Sequence, residues 1–187
     1  MKLVVLDRDG TINFDAPDYI RSAAALEPIP GSLDAIARLN RAGFTVAVAT
    51  NQSGLARGYF DNATLDAMHA KLNALLAPLG GHIDRFEICP HQPDYGCACR
   101  KPRPGLLESL GRHYKTSLEG VPVIGDSRRD LEAARAVGAR PILVRTGNGA
   151  DAAAALGGQA ESYADLAAAA TALIAGTART DERSRPT

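Results

Sequence analysis

Residues 2–11, KLVVLDRDGT, decide the fold of this chain. Apart from Lys2, the first five residues are apolar and rich in β-branched side chains, which predicts a short buried strand. The run ends at two carboxylates, Asp7 and Asp9, and Gly10 permits a sharp turn directly after them. This succession of apolar strand and polar turn recurs along the chain and organises the rest of it.

Further buried strands are predicted over residues 44–49, 85–88, 121–124 and 141–145. Between them, helices are predicted to begin near Ser32, Asp61, Pro104, Ser127 and Ala164. Strands that alternate with helices predict an α/β domain with a Rossmann-like, doubly wound parallel sheet covered on both faces. We expect one domain over residues 1–175, with its last helix ending at Ala175, and a disordered tail over residues 176–187, which lack an apolar pattern.

The chain has 187 residues, and its 21 basic and 21 acidic side chains give a formal net charge of zero. No global field therefore favours nucleic acid or an acidic membrane as a partner. The apolar run at the N-terminus is too short for a signal peptide, and no stretch approaches a membrane span. We expect a cytoplasmic protein, and an open single domain is compatible with a monomer.

Each polar cluster of the sequence directly follows a predicted strand, at residues 7–11, 50–54, 89–101 and 125–130. In parallel α/β sheets, ligands bind beyond the carboxyl ends of the strands. We therefore expect these four separate stretches to converge on one crevice. The functional hypothesis rests on this set of clusters together, because a lone pair of aspartates is a weak signal.

The carboxylates of the crevice predict a phosphate chemistry. Of Asp7 and Asp9, one can attack as a nucleophile while the other gives and then takes a proton. Asp126 adds a third carboxylate, and crowded carboxylates repel one another unless a cation neutralises them. All-oxygen ligation with a substrate phosphate is what Mg²⁺ prefers. Lys101 can then balance the phosphate charge, and the hydroxyl of Thr50 can hydrogen-bond it.

Structural alternatives exist for several of these residues. Asp126 alone would be read as a helix cap or turn residue. Asp130 can be the acidic partner of Ser127 in a capping box, or it can orient Lys101, and the sequence leaves both roles open. Three basic residues near the clusters are more typical of solvated or structural positions than of catalysis: Arg8, Arg128 and Arg129.

All three cysteines of the chain lie in one short loop, where they join a histidine in the pattern C-x-H-x5-C-x-C. Three thiolates and one imidazole form a tetrahedral zinc set, whereas the alternative is a group of buried free thiols. Zinc is favoured because every cysteine falls in this loop. A rigid metal loop would fix the two cations that follow it, Arg100 and Lys101, which suggests an anionic substrate. The expected ligands are Cys89, His91, Cys97 and Cys99.

The motifs resemble those of the haloacid dehalogenase (HAD) superfamily. Residues 7–11, Thr50-Asn51, Lys101 and residues 125–130 are similar to its four motifs, in order. More narrowly, DRDGTIN, ATNQSGLARG, CRKPRPG and the zinc loop are similar to heptose bisphosphate phosphatases of the histidinol-phosphatase subgroup. The resemblance spans about residues 3–146.

The resemblance implies a role for each matching residue. Asp7 would be the nucleophile that forms an aspartyl-phosphate, and Asp9 would protonate the leaving sugar oxygen and then activate water. Magnesium would be held by the Asp7 carboxylate, the Asp9 carbonyl and Asp126, while zinc would be structural. Thr50 and Lys101 would stabilise the phosphoryl group. The residues expected to bind substrate are Arg100, for a distal phosphate, and Asp15, Asp18, Asn51, Gln52 and Ser53, around the sugar.

The implied activity is removal of the C7 phosphate of D-glycero-D-manno-heptose 1,7-bisphosphate. The heptose 1-phosphate formed would feed ADP- or GDP-heptose synthesis, as in lipopolysaccharide biosynthesis. Histidinol phosphate is an alternative substrate, and a non-catalytic zinc-stabilised binding domain is an alternative of another class. The loops leave no room for an inserted cap domain, so we expect an open crevice. A five-residue spacer after His91, and Ser127 where relatives often carry lysine, leave the anomer preference open.

Overall fold

Six parallel strands form one sheet in the computed structural model, which describes residues 1–158 and 160–183, with side chains through Gly176. The strand order is β3-β2-β1-β4-β5-β6, the order of a doubly wound Rossmann sheet, so the predicted fold class is confirmed. The strands are β1 (Lys2–Leu6), β2 (Phe44–Asn51), β3 (Arg85–Cys89), β4 (Pro122–Gly125), β5 (Arg140–Val144) and β6 (Glu161–Tyr163).

Helices cover both faces of the sheet. They are α1 (Ser32–Arg41), α2 (Asn62–Leu76), α3 (Gly105–Tyr114), α4 (Arg128–Ala136), α5 (Gly149–Leu156) and α6 (Leu166–Arg183). Alternate β1 side chains point to opposite faces: Val4 and Leu6 pack with α1, α2 and α6, whereas Leu3 and Val5 pack with α3 and α4. Burial on both faces explains why β1 reads as a continuous apolar run.

The strand order reverses at β1, which has β2 on one side and β4 on the other. The backbone N–H of Asp7 donates to the carbonyl of Ile124 at 2.8 Å, which keeps the carboxyl ends of β1 and β4 together. A crevice forms at such a reversal because the flanking connections leave on opposite faces of the sheet. The fold therefore places Asp7 and Asp126 beside the same opening.

The connection between β1 and α1 contains only isolated bridges, in which Asn13 pairs with Asp9 and Pro28. No inserted domain covers the crevice within residues 1–158 and 160–183. Over the same residues, no helix is both long enough and apolar enough to cross a bilayer.

Helix α5 and strand β6 were not predicted. The strand has only three residues, so it carries no alternation to detect, and part of its support comes from a long-range ion pair between Arg140 and Glu161 at 2.7 Å. Helix α5 is Ala-rich and almost all of it is exposed or half-buried, so it has no apolar stripe.

The last helix extends past its predicted end. It begins at Leu166 and continues to Arg183, whereas the sequence predicted a helix ending at Ala175 and a disordered tail over residues 176–187. Ala, Arg and Glu propagate a helix already nucleated by packing, even where no apolar stripe remains. Residues 184–187 of the predicted tail lie outside the described residues.

Candidate active site

The four predicted polar clusters meet in a cleft of about 260 Å³ at the carboxyl ends of β1, β2 and β4. The predicted catalytic and metal-binding residues that line it are Asp7, Asp9, Thr50, Lys101, Asp126 and the supporting Asp130. The predicted substrate-binding residues that line it are Asp15, Asn51, Gln52, Ser53 and Arg100. Asp18 is exposed and is not part of the cleft wall, although its neighbours Ala16, Pro17 and Tyr19 are.

The two oxygens of the Asp7 carboxylate have different surroundings. Oδ1 accepts a hydrogen bond from the backbone of Arg8 at 2.8 Å and lies 2.8 Å from Nζ of Lys101. Oδ2 has no hydrogen-bond partner among the described residues, so one oxygen is held and the other remains available. Burial, together with the charges of Asp130 and Asp126, raises the pKa of Asp7 to about 7 in spite of Lys101.

Lys101 is a buried cation held by three oxygens. Its Nζ lies 2.6 Å from Oδ1 of Asp130 and 2.8 Å from Asp7, and it donates to the carbonyl of Ala49 at 2.6 Å. Burial opposes the charge, but the carboxylates of Asp130 and Asp7 outweigh it and raise the pKa of Lys101. A cation is therefore fixed beside the predicted nucleophile.

Asp130 performs both roles that the sequence left open. Its Oδ2 accepts from the backbone N–H of Ser127 at 3.0 Å and from the Ser127 hydroxyl at 2.6 Å, within a capping box at the start of α4. Its other oxygen, Oδ1, pairs with Lys101. The helix cap thus fixes the carboxylate that orients the lysine.

Asn51 also positions Lys101. Its Nδ2 donates to the Lys101 carbonyl and its Oδ1 accepts from the Lys101 N–H, both at 3.1 Å. These reciprocal bonds join the end of β2 to the residue after the zinc loop. Thr50, one residue earlier, is buried and lines the same cleft.

The Asp9 carboxylate is turned toward Arg8, whose Nε and NH2 donate to its two oxygens at 2.9 and 3.0 Å. Arg8 is only 1 % exposed, so of its two predicted environments, solvated or structural, the structural one is observed. Burial of Asp9 opposes ionisation, but the charge and hydrogen bonds of Arg8 prevail and lower the pKa of Asp9.

Asp126 is positioned by residues that the sequence analysis missed. Its Oδ2 accepts from the backbone N–H of Asn148 at 2.8 Å and from the side-chain amide of Asn148 at 3.1 Å. Gly147, with φ of +55°, lies so close that a Cβ there would be 2.2 Å from the same oxygen. Thr146 donates to the Gly10 carbonyl at 2.6 Å and closes the turn. A signal existed, because Thr146–Asn148 is a polar, glycine-containing turn directly after a predicted strand.

The carboxylates form an all-oxygen group that suits Mg²⁺. One oxygen from each of Asp7, Asp126 and Asp130 lies within 4.8 Å of the others. Asp130 is committed to Lys101 and Ser127, so Asp7 and Asp126 are the side chains able to hold the ion. Burial raises the pKa values of these two aspartates, so their ionised forms are unfavourable without a nearby cation. A bound divalent cation would stabilise the ionised carboxylates.

The four predicted zinc ligands converge on one another in the loop that precedes Arg100 and Lys101. The sulfur of Cys99 lies 3.3 Å from that of Cys89, 3.4 Å from that of Cys97 and 3.3 Å from Nδ1 of His91, and all three cysteines are free. Burial raises the pKa of Cys89 to about 12, whereas hydrogen bonds from the Arg100 backbone and from Cys99 overcome burial and lower that of Cys97 to about 6. Three sulfurs and one nitrogen at these separations match a closed tetrahedral zinc site.

Arginines and a tyrosine surround the mouth of the cleft. Arg100 donates to the carbonyl of His91 at 3.1 Å, which ties its guanidinium to the zinc loop. Arg129, which was expected to be solvated or structural, is exposed but also lines the cleft. Tyr19, which the sequence analysis did not select, lies 3.5 Å from the Ser53 hydroxyl and packs edge-on against Tyr59.

Two protein families match this chain. Residues 98–172 match the HAD-hydrolase-like family, and residues 15–129 match the polynucleotide kinase 3 phosphatase family. Among curated proteins, the D-glycero-β-D-manno-heptose-1,7-bisphosphate 7-phosphatase of Pseudomonas putida is 60 % identical over 149 residues, covering 80 % of this chain and 85 % of the relative. The enzyme of the same name from Bordetella bronchiseptica is 55 % identical, covering 80 % and 83 %.

Solved structures agree with these relatives. The D,D-heptose 1,7-bisphosphate phosphatase of B. bronchiseptica, complexed with magnesium and phosphate, superposes with a TM-score of 0.91 at 50 % identity over 94 % of this chain and 99 % of that one. The corresponding enzyme of Burkholderia thailandensis gives a TM-score of 0.73 at 42 % identity, over 93 % and 99 %. The resemblance to HAD phosphatases inferred from the four motifs is confirmed.

Proposed function

Because this chain belongs to the family of the D-glycero-β-D-manno-heptose-1,7-bisphosphate 7-phosphatases, we propose that it removes the C7 phosphate of that sugar bisphosphate. The observation that carries the proposal is the fixed cation beside a half-free carboxylate: Lys101 lies 2.8 Å from Oδ1 of Asp7, and Oδ2 remains available. The name that the relatives carry also supports the β anomer, which the sequence alone left open.

The reaction divides into two displacements at phosphorus. In the first, a carboxylate oxygen of Asp7 bonds to the phosphorus and the bond from phosphorus to the C7 oxygen breaks. Asp9, which is ionised in the free enzyme, takes up a proton from solvent when the substrate binds and passes it to that oxygen. In the second, Asp9 takes a proton from water, the water oxygen bonds to phosphorus, and inorganic phosphate leaves Asp7. Heptose 1-phosphate is the organic product.

Residues fixed around the transferring phosphoryl group stabilise its negative charge. Lys101 and the Thr50 hydroxyl face the phosphoryl oxygens, where charge develops in the transition state. Asp7, the Asp9 carbonyl and Asp126 would hold Mg²⁺, which when bound supplies a Lewis acid that neutralises the phosphate and lets two anions approach each other. Gly10 and Gly147 leave the space that Asp126 needs at this point.

Two guanidiniums at the mouth of the cleft suit the second phosphate of the substrate. Arg100 lines the cleft together with Arg129, and both also line a shallow depression that Arg103 completes. No ion pair joins Arg129 to any acidic side chain in the described part of the chain, so its charge is available to a ligand. An arginine fork matches a phosphate in geometry as well as in charge. We assign the sugar to the wall formed by Asp15, Asn51 and Ser53.

Zinc in the cluster of Cys89, His91, Cys97 and Cys99 would have a structural role. Four protein ligands would complete its coordination and would leave no open position for chemistry. The ion would join the end of β3 to the segment that carries Arg100 and Lys101. It would thereby fix the positions of Arg100, which binds a phosphate, and Lys101, which acts in catalysis, relative to each other.

The cellular setting is part of the same proposal. A product that retains its anomeric phosphate is suited to nucleotidyl transfer, so we place the enzyme before the synthesis of a nucleotide-activated heptose for a surface glycan. We propose a monomer acting in the cytoplasm on a small-molecule substrate. The open cleft, which no inserted domain covers in the described chain, supports action without a partner subunit.

The test is ³¹P NMR of β-heptose 1,7-bisphosphate during turnover, in buffer with and without magnesium. We expect loss of the C7 phosphorus signal, retention of the C1 signal, and no reaction in magnesium-free buffer. Preferential turnover of histidinol phosphate would move the assignment to the alternative substrate. Absence of phosphate release from either compound would support the non-catalytic binding domain instead.

A further inference from the structure

A hydrogen-bond network surrounds Asp9, and the proposed reaction does not account for its extent. The network consists of Asp9, Arg8, Asn13, Thr50 and Gln52. Apart from Asp9 itself, its members are at most 4 % exposed. A buried polar group is costly unless it has a hydrogen-bond partner. A network of such groups therefore holds its members in fixed positions.

Gln52 is the central member, and both N–H donors and one acceptor position of its amide are engaged. Its Oε1 accepts from NH2 of Arg8 at 3.1 Å. Its Nε2 donates to Oδ2 of Asp9 at 2.8 Å and to Oγ1 of Thr50 at 2.9 Å. Arg8 has only donors and an ionised Asp9 only accepts, so the amide can face them in one orientation alone.

This arrangement determines which hydrogen bond the Thr50 hydroxyl accepts and which it can donate. A hydroxyl carries one hydrogen and can accept through its lone pairs. Because Oγ1 of Thr50 accepts from Gln52, its hydrogen remains free to be donated into the cleft. The bond from Gln52 therefore leaves the Thr50 donor available to the transferring phosphoryl group.

The Asp9 carboxylate receives four donors in all. Arg8 supplies two, Asn13 donates to Oδ1 at 2.9 Å, and Gln52 donates to Oδ2. Arg8 and Gln52 both line the cleft, whereas Asn13 is fully buried and does not. NH1 of Arg8 lies over the sulfur of Met68 at 3.9 Å. Gln52 differs from Arg8 and Asn13 because it also donates to Oγ1 of Thr50.

We propose that Gln52, supported by Arg8, is a positioning residue that fixes the Asp9 carboxylate and couples it to Thr50. The group that transfers the proton and the group that stabilises the phosphoryl oxygens would then share one rigid geometry. This inference rests on the proposed phosphatase function. It gives Gln52 a role beyond the sugar contact expected from the sequence, because both N–H donors of its amide are engaged inside the protein and only one acceptor position of Oε1 is left for a hydroxyl of the sugar.

The experiment compares kcat/KM of Gln52→Met on β-heptose 1,7-bisphosphate and on p-nitrophenyl phosphate. Methionine keeps the length of the side chain and removes both amide functions. A poorly placed Asp9 impairs protonation of an alkoxide leaving group, whereas p-nitrophenolate leaves without a proton. We expect a loss of roughly 10- to 100-fold on the sugar phosphate, and a smaller loss of about threefold on the aryl phosphate, for which only the orientation of Thr50 matters.

Asp9→Asn is the reference, and it should show the same selectivity with a larger loss. Gln92→Met is the matched control, since Gln92 makes one long bond of 3.4 Å to the Ala56 carbonyl, outside the cleft. Gln52→Glu, which keeps the shape and replaces a donor by an acceptor, serves if the methionine variant does not fold. It should show the same selective loss.

Equal losses on both substrates, or no loss, would overturn the positioning role. These outcomes concern the Gln52 variants alone. Failure of the proposed function would instead be seen as a lack of activity in the wild-type enzyme. A wild-type enzyme that releases no phosphate from either ester would remove the reaction and the inference together. A wild-type enzyme that hydrolyses another alkyl phosphate would remove only the heptose substrate, and that ester would replace it in the comparison.

Discussion

The ammonium of Lys101 and the carboxylate of Asp7 approach to 2.8 Å, with side chains only 5 % and 14 % exposed. The contact holds one oxygen of the carboxylate and leaves the other toward the cleft. It also places a fixed positive charge where phosphoryl transfer generates negative charge. Binding of the nucleophile and stabilisation of the transition state therefore depend on the same cation.

Asp7→Asn should abolish turnover while the protein stays folded. The amide cannot form the aspartyl-phosphate, and loss of a nucleophile costs roughly 10⁴-fold or more in rate. Because the folded protein holds this carboxylate at a raised pKa, neutralising it should change the melting temperature little. Steady-state rates and thermal melts check both points, with Asp34→Asn on the exposed side of α1 as control. A folded Asp7→Asn variant with rates near wild type would remove Asp7 as nucleophile.

Lys101→Met should destabilise the protein as well as inactivate it. Removing one partner of a buried ion pair leaves two uncompensated carboxylates, Asp7 and Asp130, and such changes cost about 3–5 kcal/mol. Denaturant unfolding measures the loss, with exposed Lys115→Met as control. Unchanged unfolding midpoints for both variants would contradict the account of the buried cation.

Magnesium should stabilise the protein more at pH 8 than at pH 5.5. The folded pKa of Asp7, about 7, lies above the ordinary aspartate value, so its contribution to stability is full at low pH and is lost as pH rises through 7. At pH 8 the ionised carboxylate repels its neighbours, and the cation removes that repulsion. Thermal melts with and without magnesium at the two pH values check the sign. A larger shift at pH 5.5 would show that Asp7 does not hold the ion.

Cys97→Ser should lower both the zinc content and the melting temperature. Structural zinc contributes directly to folding free energy, and the loop has little other packing to replace it. The matched control is Asp94→Asn, an exposed residue of the same loop that is not a ligand. Metal analysis and thermal melts provide the readouts. Full zinc content or an unchanged melting temperature in Cys97→Ser would exclude a structural zinc site of this composition.

Arg129→Gln should weaken recognition of the second phosphate. We expect KM for heptose 1,7-bisphosphate to rise about tenfold, the effect of one charge-assisted hydrogen bond, with little change for heptose 7-phosphate. Arg128→Gln is the control because the neighbouring Arg128 pairs with Glu132 at 2.6 Å and does not line the cleft. An equal effect on the two substrates would place Arg129 outside the distal phosphate site.

The sequence predicted the parts of this protein that local patterns encode. Apolar runs such as residues 2–6 mark strands buried on both faces, and the polar turns after them mark the crevice edge. Asp126 and Lys101 are 25 residues apart in the chain. They could be predicted to lie close in space because parallel strands end on one side of a sheet. The zinc ligands were readable because they share one short loop.

Other features depend on tertiary contacts that no local pattern reveals. The bond between Asn148 and Asp126 joins two strand ends, and its polar turn was passed over because helix α5, which follows it, has no apolar stripe. The burial of Arg8 comes from packing against α2. Asp130 could not be assigned to one role from the sequence because its two oxygens serve different partners.

The most direct test of the central claim is kcat/KM measured side by side on the α and β anomers of heptose 1,7-bisphosphate and on histidinol phosphate. Enzyme and magnesium concentrations are held equal, and released phosphate is measured. The account predicts the highest value for the β anomer, and the lowest for histidinol phosphate, which lacks a second phosphate for Arg100 and Arg129. A preference for histidinol phosphate would contradict both the substrate and the role given to these arginines.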